Sequence, residues 1–152
     1  MIDDKLDYKL LKVKNGKPFF AIVNLEVSIN DSENEIIEKY YGKGWSKQGN
    51  IESVTNKGYQ EWKTALRLGL EFCFSLSNNF WKVKVNKIEG RIGTDTNPTI
   101  VGYTAILAFC EQTKTKINSE LKEQIEQFVF KSWENNNYNL MPNFIELKFE
   151  QI

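Results

Sequence analysis

Phe19, Ala21, Val23, Leu25, Val27 and Ile29 fall on every odd position of one stretch, and Asn24, Glu26 and Ser28 lie between the later ones. Successive side chains of a strand point to opposite faces, so this period of two commits the stretch to a long strand with one buried face. Asn15-Gly16 stands just before it and is the dipeptide that best tolerates the positive φ angles of a tight hairpin turn. Residues 6–13 also alternate, and a phase slip at Leu10-Leu11 predicts a bulge. The chain therefore starts as a long β-hairpin, whose inward face needs a second apolar layer.

The rest of the chain supplies that layer. Ser32-Glu-Asn-Glu35 has capping-box spacing and predicts a short helix carrying Ile36, Ile37, Tyr40 and Tyr41 as far as Gly42. Residues 42–57, with Gly42, Gly44 and Gly49, predict a polar loop. From Gly58 to Ser77 the pattern is helical, with Trp62, Leu66, Cys73 and Leu76 on one face. Leu68, Leu70, Phe72 and Phe74 make that helix apolar on nearly all sides, which predicts the central core helix with Phe72 deeply buried. Trp81, Val83 and Val85 alternate with Lys82 and Lys84 as a strand over 81–85, followed by a loop with Gly90 and Gly93.

Asn97 and Pro98 suit the cap and first turn of a helix. That helix contains the small residues Gly102, Ala105 and Ala108, with Ile106 in the core. A third helix is expected over 119–133, and Ile145, Leu147 and Phe149 alternate in a final strand. The order is β-β-(short α)-α-β-α-α-β. It predicts one α+β domain over 1–152, with a mixed or antiparallel sheet of about four strands and helices packed on one face.

Composition bounds the chemistry. Of the 152 residues, 41% are hydrophobic and 13% aromatic, enough to build a packed core. Twenty basic side chains balance twenty acidic ones, which argues against a general attraction to nucleic acid or to an anionic membrane. The chain has no histidine, so Ser-His-Asp and Cys-His catalysis and His-ligated metal sites are excluded. Cys73 and Cys110 both lie in apolar helical stretches, which predicts buried, reduced thiols and no zinc site. No cofactor and no metal are implied. Met-Ile-Asp-Asp-Lys at the N-terminus has no apolar leader segment, and no apolar run reaches the length of a membrane span. A cytoplasmic protein without membrane contact is expected.

Three features remain as candidate sites. The first is the polar loop with Tyr41, Trp45 and Lys47, flanked by the acidic residues Asp31, Glu33 and Glu35. Exposed Trp and Tyr are favoured interface anchors, so these six residues are the candidate partner-binding set. Gly42-Lys-Gly-Trp-Ser46 in the same loop lacks the Walker arrangement of phosphate loops. The second is a basic series, Lys82, Lys84, Lys87 and Arg91, in a segment (57–94) with seven basic and three acidic side chains. It makes an accessory factor contacting RNA or the ribosome an alternative. The third is Asp95, near Glu89 and Arg91, where either a carboxylate-dependent enzyme or a simple helix-start role is possible.

Two resemblances bear on the choice. The helix Gln60 to Ser77, the strand Lys82 to Lys87, the Gly90-Arg-Ile-Gly loop, the Asp95-Thr-Asn-Pro helix start and the helix Gly102 to Phe109 together resemble domain IV of elongation factor G. That resemblance covers residues 58–111 and implies the fold that this domain shares with a small-subunit ribosomal protein. The chain as a whole, small, histidine-free and α+β without a catalytic constellation, is similar in type to immunity proteins of bacterial toxin systems. This second resemblance implies a non-catalytic protein-binding domain whose partner is a cognate toxin, neutralised by occlusion of its active or target-binding surface.

Overall fold

The computed structural model describes residues 2–151. The hairpin consists of β1 (Asp7–Lys14) and β2 (Lys17–Ile29). Their antiparallel register runs unbroken from Asp7 opposite Asn24 to Lys14 opposite Lys17. The expected bulge at Leu10-Leu11 is therefore absent: Leu10 is buried, while Leu11 lies on the opposite face and is exposed.

The chain next forms β3 (Glu35–Glu38), β4 (Gly44–Trp45) and β5 (Glu52–Ser53), then α1 (Gln60–Phe74) and β6 (Trp81–Gly90). The remaining elements are α2 (Pro98–Thr113), α3 (Ser119–Phe130), β7 (Met141–Asn143) and β8 (Lys148–Glu150). The fold is α+β. The main sheet has six strands rather than about four, in the order β1-β2-β6-β5-β4, with β3 also paired to β6 and β7-β8 as a separate pair. β3 runs parallel to β6 and the other pairings are antiparallel, so the sheet is mixed.

Three expectations are corrected. Residues 35–38 are a strand, not a helix: Glu35-Ile-Ile-Glu38 lies along Lys82–Val85, and its two β-branched residues fill opposite faces of the sheet. The 42–57 loop contains β4 and β5, joined to the sheet through Glu52 opposite Gly90. The central helix is α2, not α1. Every residue from Pro98 to Ile106 is buried, together with Ala108 and Phe109, whereas α1 turns Arg67 and Glu71 outward.

β6 is longer than expected because a bulge changes its phase. Trp81, Val83 and Val85 are buried on odd positions, then Ile88 and Gly90 on even ones. The register between β2 and β6 shifts at Asn24 and Leu25, which face Lys87 and Val85, and Asn86 is the extra residue. Its buried side-chain amide donates to Asn24 Oδ1 (3.1 Å) and to Glu26 Oε2 (2.9 Å), so that group is satisfied.

The inward face of β2 (Phe19, Ala21, Val23, Leu25) packs with Val83, Val85 and Ile88 against Ile100, Val101, Ile106 and Phe109. Phe72 and Ile106 are buried as expected. Asn97 caps α2 by accepting from Ile100 N–H at 2.9 Å. At the C-terminus, Phe149 of β8 stacks on Phe128 at 4.3 Å between centroids. Ile145, expected in that strand, lies in the turn before β8 and is exposed. α3 ends at Phe130, short of the expected Trp133.

Candidate functional site

The helices cover one face of the sheet and leave the other open. On the open face, Glu26 and Ser28 of β2 stand beside Lys84 and Lys82 of β6, and Glu35 and Ile37 of β3 stand beside the same two lysines. Lys82, Lys84, Glu26 and Ser28 are all exposed.

β3 is held in place from the helix side. Glu38 Oε2 accepts from Arg67 Nε of α1 at 2.6 Å, and Glu38 Oε1 accepts from the Tyr40 hydroxyl at 2.7 Å. The Glu38 bond raises the Arg67 pKa. Burial first, then the same carboxylate, pushes the Tyr40 phenol far up and keeps it a neutral donor. The buried Lys63 lies 4.8 Å from the Tyr40 ring centroid, and its ammonium donates to the Asn56 carbonyl oxygen at 2.8 Å. Burial pushes the Lys63 pKa down. One end of the open face is thus locked by a hydrogen-bonded charge cluster around α1.

The chain beyond Tyr40 is equally constrained. A Cβ at Gly42 would lie 2.4 Å from the Val54 carbonyl oxygen, so only glycine lets the backbone pass there. Ser46 N–H donates to Ile51 O at 2.8 Å and closes the β4–β5 ribbon. The Tyr59 hydroxyl donates to Glu52 Oε1 at 2.8 Å, and burial followed by that bond pushes its pKa up to about 12.

These restraints set two grooves end to end. One, of about 630 Å³, is lined by Ile37, Lys39, Lys82 and Lys84 among others, and ends at Tyr41. The second, also about 630 Å³, begins at Tyr41 and runs past Gly42 and Trp45 to Ile51 and Glu89. Tyr41 is 53% exposed and Trp45 57%, and Lys39 Nζ lies 6.0 Å from the Tyr41 ring centroid.

Of the six expected partner-binding residues, the structure joins Tyr41 and Trp45 in one groove. It places Glu35 at the far end of the open face, opposite Lys82. Asp31 and Glu33 are exposed in the turn just before β3. That turn is pinned by Asn30 N–H to Phe80 O at 2.9 Å and by Trp81 N–H to Asn34 Oδ1 at 2.8 Å. Asp31, Glu33 and Glu35 take part in no ion pair among the described residues. Lys47 is exposed on the β4–β5 loop and does not line the groove. Ile37, Lys39 and Ile51 were missed, because their role depends on β3 and β5 being strands.

The basic series does not converge. Lys82 and Lys84 line the first groove, with Lys84 Nζ 3.7 Å from Glu26. Lys87 is turned to Asp7 (3.0 Å) and Asp4 (3.3 Å). Arg91 donates to the Gly49 carbonyl oxygen at 2.7 Å and to Asp95 Oδ2 at 3.2 Å, and lies 4.7 Å from the Phe20 ring centroid. Asp95 is thus engaged in that pair, and the helix-cap role belongs to Asn97.

Among the described residues no cluster of three or more His, Cys, Asp or Glu side chains is placed to hold a metal ion, and no helix is long and apolar enough to cross a membrane. No family model matches the sequence, and no curated protein matches it either.

Proposed function

We propose that this chain is a non-catalytic protein-binding domain that seats its partner on the open sheet face, and that its specific role is that of an immunity protein. In that role it acts in the cytoplasm and occludes the active or target-binding surface of a toxin. The reading rests on one observation: Tyr41, where two grooves meet, and Trp45, which lines the second of them, are both more than half exposed on a constrained backbone. Aromatic anchors on a rigid scaffold lose little conformational freedom on binding, which is why interfaces concentrate energy in them. The carboxylates of Asp31, Glu33 and Glu35, in no ion pair among the described residues, would speed encounter with a basic partner surface such as that of a nuclease.

RNA contact is the second reading, favoured by Lys39, Lys82 and Lys84 lining one groove with Tyr41. Salt dependence and partner identity separate the two. Protein captured from host extract by the wild type, and lost with Tyr41→Ala/Trp45→Ala, supports the protein reading. Capture that survives both substitutions, or nuclease-sensitive capture with a steep salt dependence, overturns it.

A further inference from the structure

β1 is an edge of the main sheet. Among the described strands it pairs with β2 alone and stands at the end of the sheet order. Every second residue of such a strand turns its N–H and C=O groups away from the sheet. Among the described residues no backbone bond from a turn or loop reaches Asp7–Lys14. With eight residues β1 is the longest strand of the sheet that has a single partner, since β3 has four and β4 two.

The side chains along this edge sort by the pleat. Lys9, Leu11 and Val13 stand exposed on the open face, Leu11 at 58% and Val13 at 72%. Lys12 and Lys14 share the helix face with the buried Leu10, and their ammonium groups lie 5.9 and 5.7 Å from the Phe130 ring centroid of α3. The charge is one-sided. Asp7 is engaged by Lys87 at 3.0 Å and by the Asn24 side-chain amide at 2.8 Å. Lys12, 3.5 Å from Glu126, keeps half of its side chain exposed, and Lys9 and Lys14 take part in no ion pair among the described residues. Lysines guard an edge against a second copy, because like charges on neighbouring strands repel. The same lysines attract a strand of opposite charge.

We propose that the outer edge of β1 takes up an extended acidic segment of another polypeptide as a further strand of the main sheet. In strand addition the main-chain bonds supply affinity and the alternate side chains supply specificity. The pleat sets successive residues of the segment beside Leu11 and Val13 on one face and beside Lys12 and Lys14 on the other. The complementary segment therefore alternates apolar and acidic residues. This edge lies at the opposite end of the sheet order from Trp45 of β4, so it stands independently of the partner assigned to the grooves.

A capped synthetic peptide alternating Val and Glu, as long as β1, tests this on the intact protein by amide hydrogen exchange with and without the peptide. The expected result is slowed exchange at every second amide of β1, with β3 and Trp45 unchanged. Lys9→Glu/Lys14→Glu should weaken peptide binding by at least about tenfold, whereas Tyr41→Ala/Trp45→Ala should leave it as in the wild type. A peptide alternating Val and Lys, and the Val-Glu peptide N-methylated throughout, should leave β1 exchange unaltered. Unaltered exchange in β1 with the Val-Glu peptide, an equal effect of either control peptide, undiminished binding by the charge variant, or loss of binding in Tyr41→Ala/Trp45→Ala would each overturn the inference. So would a dimer of the free protein in which those β1 amides are already slow, which assigns the edge to a second copy. Should the charge variant melt below the wild type, the three peptides on the wild type decide alone.

Discussion

Tyr40 and Tyr41 are chain neighbours that serve opposite faces of one sheet, Tyr40 at 4% exposure against α1 and Tyr41 at 53% on the open side. The pleat alone separates a structural tyrosine from a candidate binding one. Tyr40→Ala should cost about 3–5 kcal/mol, since it empties a buried aromatic site and removes one of the two hydrogen bonds that Glu38 accepts. Tyr41→Ala should change stability by less than about 0.5 kcal/mol. Chemical denaturation of both variants checks the contrast, and equal losses would show that Tyr41 belongs to the core.

The bond from Arg67 to Glu38 fixes β3 to α1, but the Arg67 side chain is 40% exposed, so solvent weakens its contribution. Arg67→Leu is expected to cost about 1 kcal/mol. It should also speed amide hydrogen exchange in Glu35–Glu38 more than in Val83–Val85, because β3 pairs with β6 alone among the described strands while β6 also pairs with β2. Unchanged exchange in β3 would mean that its pairing with β6 alone holds it.

The open face was only partly legible in the sequence, and the reasons are physical. The period of two in β2 was unmistakable because one face is fully buried over its first half. In β3 the same signal fails: four residues, with Ile36 and Ile37 on opposite faces, carry no alternation, and the capping-box spacing of Ser32 and Glu35 pointed to a helix. β4 and β5 have two residues each and exist only through pairing. The bulge at Asn86 reverses the phase of β6 and hid its second half. Tyr41 and Trp45 could be named from composition and loop context, whereas Ile37 and Lys39 needed the strand. Of the two thiols expected to be buried, Cys73 is, whereas Cys110 is only half-buried.

Gly69 and Gly102 set the spacing of α1 and α2. Gly102→Ala would place a methyl 2.6 Å from the Phe144 ring and 2.8 Å from Ala65 O. Thermal unfolding should show a loss of about 1–3 kcal/mol. An unchanged melting temperature would show that the helices separate at little cost.

Tyr40, Tyr59 and Tyr103 each donate to a carboxylate, of Glu38, Glu52 and Glu126. Burial first, and then those partners, raises all three phenols, Tyr59 to about 12. A folded-state pKa above the unfolded value near 10 gives stability that is complete below pH ~10 and is lost as pH rises through the folded value. Phenolate absorbance of Tyr40 and Tyr103 should therefore appear only above pH ~10 and together with unfolding, whereas the half-buried Tyr59 ionises near 12. Ionisation of Tyr40 and Tyr103 at pH ~10 in a protein with intact circular dichroism would contradict their buried donor geometry.

The most direct test of the open face as the partner surface is Trp45→Ala, with melting temperature and partner Kd measured on the same preparation. The account predicts an unchanged melting temperature and an affinity loss of at least about 2 kcal/mol, roughly thirtyfold in Kd. A lowered melting temperature with unchanged Kd for the folded fraction would contradict it, placing Trp45 in the scaffold and the partner on another surface.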